Sequence, residues 1–433
     1  MRSFRSLRSL RSLRSLVIAL GAALVLAGCP SKPKPDSGAS DASAVNTPTL
    51  DPAALKEAPA DPEYGKELVA TFQCNRCHDG TGHPAAADNK HCVHCHKKIM
   101  DGRFDAPAAS IARWKPRVKE LADAPSLEAT GKRFSRRWVE SYLLQPSDLR
   151  PHLHQFMPRL ALTASEARHI AAYLVPEADA PGVNAPAELA GADLGKGRQL
   201  LDTKGCGSCH VFTGVAAIAS SAPPAMDGRE FERGRKLAPD LRFARERMSA
   251  AKLIAWLSDP KAVKKDTPMP KPGLSPTEVK DLAAYLLTAE IAPASPKPKL
   301  ARLPVLERKV TFKEVDEKVF HRTCWHCHSE PDYAIGDGGP GNSGGFGFKP
   351  RGLNLSDYNG IAAGFLDDKG ERASVFARDA ENVPRLVRAL LARHDEESGA
   401  ETGSVRGMPL GYEPLSAEDI QLVESWVAQG RPR

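Results

Sequence analysis

The chain has 433 residues, a length that suits two to four domains, with 26% charged and 41% hydrophobic residues and a formal charge of +7. The basic excess belongs to the N-terminus, because residues 1–28 hold five arginines and no acid. The rest is close to neutral, so a nucleic-acid partner loses its main support.

In chain order, Arg2, Arg5, Arg8, Arg11 and Arg14 precede an apolar run from Leu16 to Ala27, too short to span a bilayer as a finished helix. Residues 1–28 therefore read as a signal peptide. Its end, Leu26-Ala27-Gly28-Cys29, resembles the lipobox of bacterial lipoproteins, which implies that Cys29 becomes the acylated first residue of the mature chain. An ordinary secretory signal followed by a stray cysteine is the plainer reading, and both give an address outside the cytoplasm. Residues 29–61 are rich in Pro, Ala, Ser and Asp with no apolar period, so they cannot bury enough surface to fold. They read as a flexible tether that keeps the folded part near a membrane surface.

The other eight of the nine cysteines fall into four copies of Cys-x-x-Cys-His: Cys74/Cys77/His78, Cys92/Cys95/His96, Cys206/Cys209/His210 and Cys324/Cys327/His328. Two thiols three residues apart can each form a thioether with a haem vinyl group, and the histidine directly after them is placed to bind the iron. The chain therefore reads as carrying four covalently bound haem c groups. Zinc would combine two half-sites of two cysteines, whereas here each pair has its own histidine and successive motifs lie 18, 114 and 118 residues apart. A disulfide framework also needs an even number of cysteines, but it leaves the histidines unexplained. Export agrees with the cofactor, since the systems this motif resembles attach haem outside the bacterial cytoplasm. Haem propionates would move the net charge toward acidic, so Lys261, Lys264, Lys265 and Lys271 read as a docking patch or as solvated surface.

An internal repeat organises the region beyond the tether. Pro125-Ser126-Leu127, Arg133, Tyr142 and Pro146 recur at the same spacing as Pro239-Asp240-Leu241, Arg247, Trp256 and Pro260. Met157-Pro158 is succeeded by Leu162, Thr163, Glu166, Tyr173 and Leu174 at offsets of 5, 6, 9, 16 and 17, and Met269-Pro270 by Leu274, Ser275, Glu278, Tyr285 and Leu286 at the same offsets. Thr163 or Ser275 with a glutamate three residues on predicts a capping box opening an amphipathic helix.

By these residues the two copies resemble the class I cytochrome c fold: a helix with Gly before the haem motif, a Pro-x-Leu, a helix, a Met-Pro loop and a closing helix. The resemblance covers residues 64–174 and 195–287. The motifs place His78, His96, His210 and His328 to ligate iron, and the resemblance implies that Met157 and Met269 are sixth ligands and that the carbonyls of Pro125 and Pro239 accept a hydrogen bond from a ligating histidine. A lone Met-Pro is more often a core methionine beside a turn; matched offsets in two copies argue otherwise.

The third unit is more divergent. After Cys324-Trp325-His326-Cys327-His328 come a glycine-rich stretch, Gly336 to Gly347, then Leu353-Asn354-Leu355, and Met408-Pro409 with Leu415-Ser416, Asp419 and Trp426. It resembles the cytochrome c-like domains of large planctomycete proteins, which implies Met408 as its sixth ligand. The glycine stretch lacks the lysine and hydroxyl of a phosphate loop and reads as a surface excursion.

The expected organisation is mainly α: tandem class I cytochrome c-like haem domains joined by Pro-rich linkers. Its parts are a signal at 1–28, a tether at 29–61, a dihaem domain at 62–176, a linker at 177–194, a monohaem domain at 195–289, a linker at 290–309 and a monohaem domain at 310–433. The first domain holds two haem motifs but one Met-Pro. Gly65 lies nine residues before Cys74, as Gly197 does before Cys206, which favours the first haem as owner of Met157; His96 lies 29 residues before Pro125, as His210 does before Pro239, which favours the second. The orphan iron then takes His83, His91, His94, His152, His154 or Met100, or stays open. His169 and His394 read as surface residues of helices.

Histidine with methionine keeps iron six-coordinate and raises its potential. The expected function is therefore that of an electron-transfer protein, a lipid-anchored relay at the periplasmic or outer face of a bacterial membrane. Its partners would be redox proteins, a quinol-oxidising complex or dehydrogenase on one side and a terminal oxidase or reductase on the other. The alternatives are a peroxidase or sulfur-compound oxidoreductase using an open iron in the first domain, and a cytochrome subunit wired into a respiratory complex.

Overall fold

The computed structural model describes residues 59–88, 90–151, 153–177, 187–220, 226–293, 298–329, 352–367, 369–400 and 403–433. The expected signal peptide, most of the tether, Cys29, His152 and the glycine-rich stretch lie outside them. The protein is mainly α; among the described residues its strands are Phe365–Leu366 and Arg372–Ala373, paired antiparallel.

The first two units share one frame. An entry helix, Pro62–Thr71 or Leu194–Thr203, crosses a closing helix, Ala164–Leu174 or Pro276–Thr288, and a middle helix, Arg136–Leu144 or Ala250–Ser258, packs on the closing one. Local chemistry starts each of them. Asp61 and Asp193 accept backbone N–H groups at the entry helices, Ser135 and Ser249 do so at the middle helices, and Thr163/Glu166 and Ser275/Glu278 close reciprocal capping boxes. Such a cap contributes about 1 kcal/mol.

Glycine decides how closely the helices cross. A Cβ on Gly65 would lie 2.0 Å from the His169 carbonyl oxygen, and one on Gly197 would lie 2.3 Å from that of Asp281. Both clashes are with backbone, so only helix separation could relieve them. Gly197→Val is expected to destabilise the protein by about 1–3 kcal/mol, the usual cost of overpacking. Denaturant unfolding monitored by far-UV circular dichroism would measure it, and an unchanged midpoint would show that the crossing is not tight.

The third unit gathers around Trp426 of the closing helix Ala417–Ala428, a fully buried ring surrounded by Phe312, Phe320, Tyr358 and Phe376. Its haem motif ends a helical run made of Phe312–Val315, the π-helical Asp316–Cys324 and Trp325–His328. The stretch read as the second spacer is not free along its length. Leu306 N–H donates to Ser425 Oγ at 2.9 Å, Gln429 Nε2 donates to the Leu306 carbonyl, and Arg302 pairs with Glu424, so residues 302–308 lie along the closing helix.

Residues 59–433 form one compact unit. Ser135 N–H donates to the Arg247 carbonyl at 2.7 Å and Asp240 N–H to that of Leu149 at 2.8 Å, joining the two repeats. Gln155 N–H donates to Glu397 and Gln145 to the Gly399 carbonyl, joining the first repeat to the C-terminal part. Among the described residues no helix is long and apolar enough to cross a membrane.

Candidate haem-binding sites

The four motifs are built in two ways. At Cys74–Arg76 and Cys206–Ser208 the first cysteine opens a 3-10 turn preceded by a left-handed residue, Gln73 at φ 51° and Gly205 at φ 78°. The motifs at Cys92 and Cys324 instead adjoin or lie on helices, Cys92–Met100 and Trp325–His328. In a helix, positions i, i+3 and i+4 share a face, so Cys92, Cys95 and His96 all point to one side.

The imidazoles carry the clearest signal. Nδ1 of His78 lies 2.8 Å from the Pro125 carbonyl and that of His210 lies 2.8 Å from the Pro239 carbonyl. A carbonyl only accepts, so Nδ1 holds the proton and Nε2 is left as a bare lone pair, the form that ligates a metal. His328 makes a longer contact of the same kind, 3.4 Å to the Leu353 carbonyl, so Leu353-Asn354-Leu355 stands where the repeats have Pro-x-Leu. Burial lowers the pKa of all three rings, which keeps them neutral. His96 differs. Its ring is buried, and burial, with His326 adding to it, pushes its pKa down to about 3 against the Leu121 backbone, which acts to raise it.

The sulfurs sit in apolar surroundings. Burial pushes the thiols of Cys74, Cys95 and Cys206 up to about 11 and that of Cys324 up to about 12, and the eight described cysteines form no disulfide. Free cysteine pairs beside a histidine with a bare Nε2 fit the donor set of covalently attached haem.

Each methionine singled out by the sequence lies in the apolar cluster of one motif: Met157 with Cys74, Met269 with Cys206, Met408 with Cys324 and Met100 with Cys95. Met157 therefore keeps company with the first motif, the same one whose histidine meets Pro125. Met269 is further held by the Trp256 indole, whose Nε1–H donates to Sδ at 3.0 Å, and by its own N–H, which donates to Thr267 Oγ1 at 3.2 Å.

Two buried guanidiniums complete the repeats. Arg133 and Arg247, at matched positions, are 9% and 8% exposed, and among the described residues neither is ion-paired. Burial pushes both down to about 10. Asp266 near Arg133 and Glu246 and Asp240 near Arg247 offset this burial only in part, so further anions are welcome there, and haem propionates are anions of that kind. The sequence marked these arginines only as repeat positions.

The remaining histidines are spread among other tasks. His83 Nε2 meets the Lys66 carbonyl at 2.8 Å. His91 Nδ1 accepts the His94 N–H as the cap of its helix, and its Nε2 stands 3.7 Å from Asp79. His94 stacks on His91 and bonds Asp79 at 3.2 Å, and His154 bonds Glu397 at 3.3 Å. His169 and His394 are not surface residues. Both are half-buried, His169 accepting the Asp61 N–H and His394 bonded to the Leu415 carbonyl, so each ties a helix to a loop. The lysines at 261, 264 and 271 are paired with Glu230, Asp266 and Asp259, which leaves little net charge for a docking patch.

Three motifs converge. The Cys77 and Cys92 sulfurs share a hydrogen bond, and the Cys92 and Cys327 sulfurs are close enough to repel as thiolates. The rings of His96 and His326 lie tilted by 43° with centres 6.0 Å apart, and Tyr412 meets His96 at 6.5 Å. His326 was missed by sequence reasoning, although it sits inside a haem motif just as His94 does.

A family model described as cytochrome c matches residues 194–290. No curated protein and no solved structure matches the chain. The matched segment is a cytochrome c domain, which carries covalently bound haem c with its iron and whose chemistry is haem-based electron transfer.

Proposed function

We propose that the chain is a four-haem c-type cytochrome lipoprotein that relays electrons at the periplasmic or outer face of a bacterial membrane, within a respiratory chain. Its partners would be a quinol-oxidising complex or dehydrogenase as donor and a terminal oxidase or reductase as acceptor. The convergence of three Cys-x-x-Cys-His motifs through Cys77, Cys92 and Cys327 is the observation that carries this reading, since it serves passage from site to site better than isolated chemistry.

When bound, haem c supplies a one-electron iron couple. The chain's own part is to hold and tune it. Pro125, Pro239 and Leu353 orient His78, His210 and His328 through their carbonyls, and Met157, Met269 and Met408, which stand in the matching apolar clusters, would be the sixth ligands. Arg133 and Arg247 offer buried positive charge to propionates. The signal-peptide pattern and Cys29 support a lipid anchor, and the Pro-rich tether supports reach along the membrane.

The test is the intact mass and spectrum of the full chain from a host that installs haem c. Four haems and a low-spin oxidised spectrum, unaltered by peroxide and by carbon monoxide after reduction, are expected. Cys29→Ser should move the protein from the membrane to the soluble fraction. A colourless chain, or one that turns over peroxide, would overturn the relay.

A further inference from the structure

The iron borne by Cys92, Cys95 and His96 has no sixth ligand from the repeat. The Met-Pro of its own domain lies in the Cys74 cluster. Met100 lies one turn beyond His96 on the same helix, on the side of the iron that His96 itself would take. A ligand opposite His96 must therefore come from another element.

We infer that His326, the histidine inside the last haem motif, is that ligand, so that the iron of the second motif is held by two histidines from opposite ends of the chain. The inference rests on the four-haem reading. Its geometric support is the distance between the rings, 6.0 Å from centre to centre with the planes 43° apart. Two imidazoles on opposite sides of one metal, each bound at ~2.0–2.1 Å, hold their ring centres roughly 6 Å apart and can take any angle about the shared axis. Rings stacked face to face come much nearer, as His91 and His94 do at 3.5 Å, while tilted rings such as Phe312 and Trp426 stand 5.8 Å apart. The separation of His96 and His326 is thus one that a bound metal fits. The surroundings agree, because Tyr412, beside His96, is electrostatically coupled to the sulfurs of Cys92, Cys95 and Cys327.

Among the described residues the rival histidines face elsewhere. His83 is bonded to the Lys66 carbonyl, His91 and His94 are turned toward Asp79, and His154 is bonded to Glu397. With His326 in this place, the first domain and the C-terminal part are joined through metal as well as through hydrogen bonds. The site also has the lowest potential of the four, since methionine ligation raises the other three.

The test uses the full chain with its haems, in wild-type, His326→Ala and His326→Met forms, counted by intact mass and characterised by electron paramagnetic resonance and redox titration. Four haems are expected in each. In His326→Ala one iron in four should turn high-spin and bind carbon monoxide when reduced, and added imidazole should restore the low-spin signal. In His326→Met the iron should stay low-spin while the lowest potential rises. A four-haem His326→Ala protein with an unchanged low-spin spectrum would overturn the assignment, and if that variant fails to accumulate, an unchanged lowest potential in His326→Met does the same. A wild-type chain with three haems and unmodified Cys92 and Cys95 would instead overturn the four-haem reading on which the assignment stands.

Discussion

Changing Cys206 and Cys209 together to serine is expected to yield a protein one haem short of its parent, with a quarter of the haem absorbance lost and the segment 194–290 unfolded or molten. The reason lies in how that segment is filled. Its buried cluster is built from Leu189, Leu200, Leu201, Phe212, Leu253, Leu257, Leu282 and small alanines, with Phe212 its one buried aromatic ring. A domain of this size needs a large apolar body to bury, and the proposed haem, held by His210 and Met269, would be that body. Without the attached plate the cluster would line a void, and unfilled volume costs about 24 cal/mol per Å³. Intact mass gives the haem count, and differential scanning calorimetry should show one transition weakened or lost. Full retention of haem, or an unmoved calorimetric profile, would undo the attachment claim for this motif.

Met269→Ala should keep the haem attached yet leave its iron without a thioether. The iron is then expected to turn high-spin in the oxidised state, and its potential to fall by on the order of a tenth of a volt or more within the ~0.8 V range that axial ligands command. The surroundings sharpen this expectation. Trp256 Nε1–H donates to the Met269 sulfur at 3.0 Å, drawing electron density from it and so favouring the reduced iron. Trp256→Phe should therefore lower the same potential by a smaller amount while leaving the iron low-spin. Optical redox titration with electron paramagnetic resonance separates the two variants. An unaltered titration in Met269→Ala would refute the ligand.

How much of this could be read without coordinates varies along the chain. The closing helices were legible because a capping box and a 3.6-residue apolar period are local features, and Thr163/Glu166 and Ser275/Glu278 form them as expected. The Pro-x-Leu carbonyls were legible through the resemblance carried by the repeat, and His78 and His210 meet them at 2.8 Å. Leu353 was harder to read, since without proline nothing in Leu-Asn-Leu marks its carbonyl as a partner for His328. Spacing alone left the ownership of Met157 open, because two distances along the chain pointed in opposite directions. Packing places it with Cys74.

By itself the sequence determined where the four Cys-x-x-Cys-His motifs and the capped closing helices lie, because such motifs and helix capping depend on residues within a few positions of one another. Only the tertiary structure decided which motifs are neighbours: Cys77 against Cys92, Cys92 near Cys327, and His326 near His96 across 230 residues. Such meetings are set by how closely glycine lets helices cross and by which apolar faces bury one another, and no short-range pattern in a chain records them.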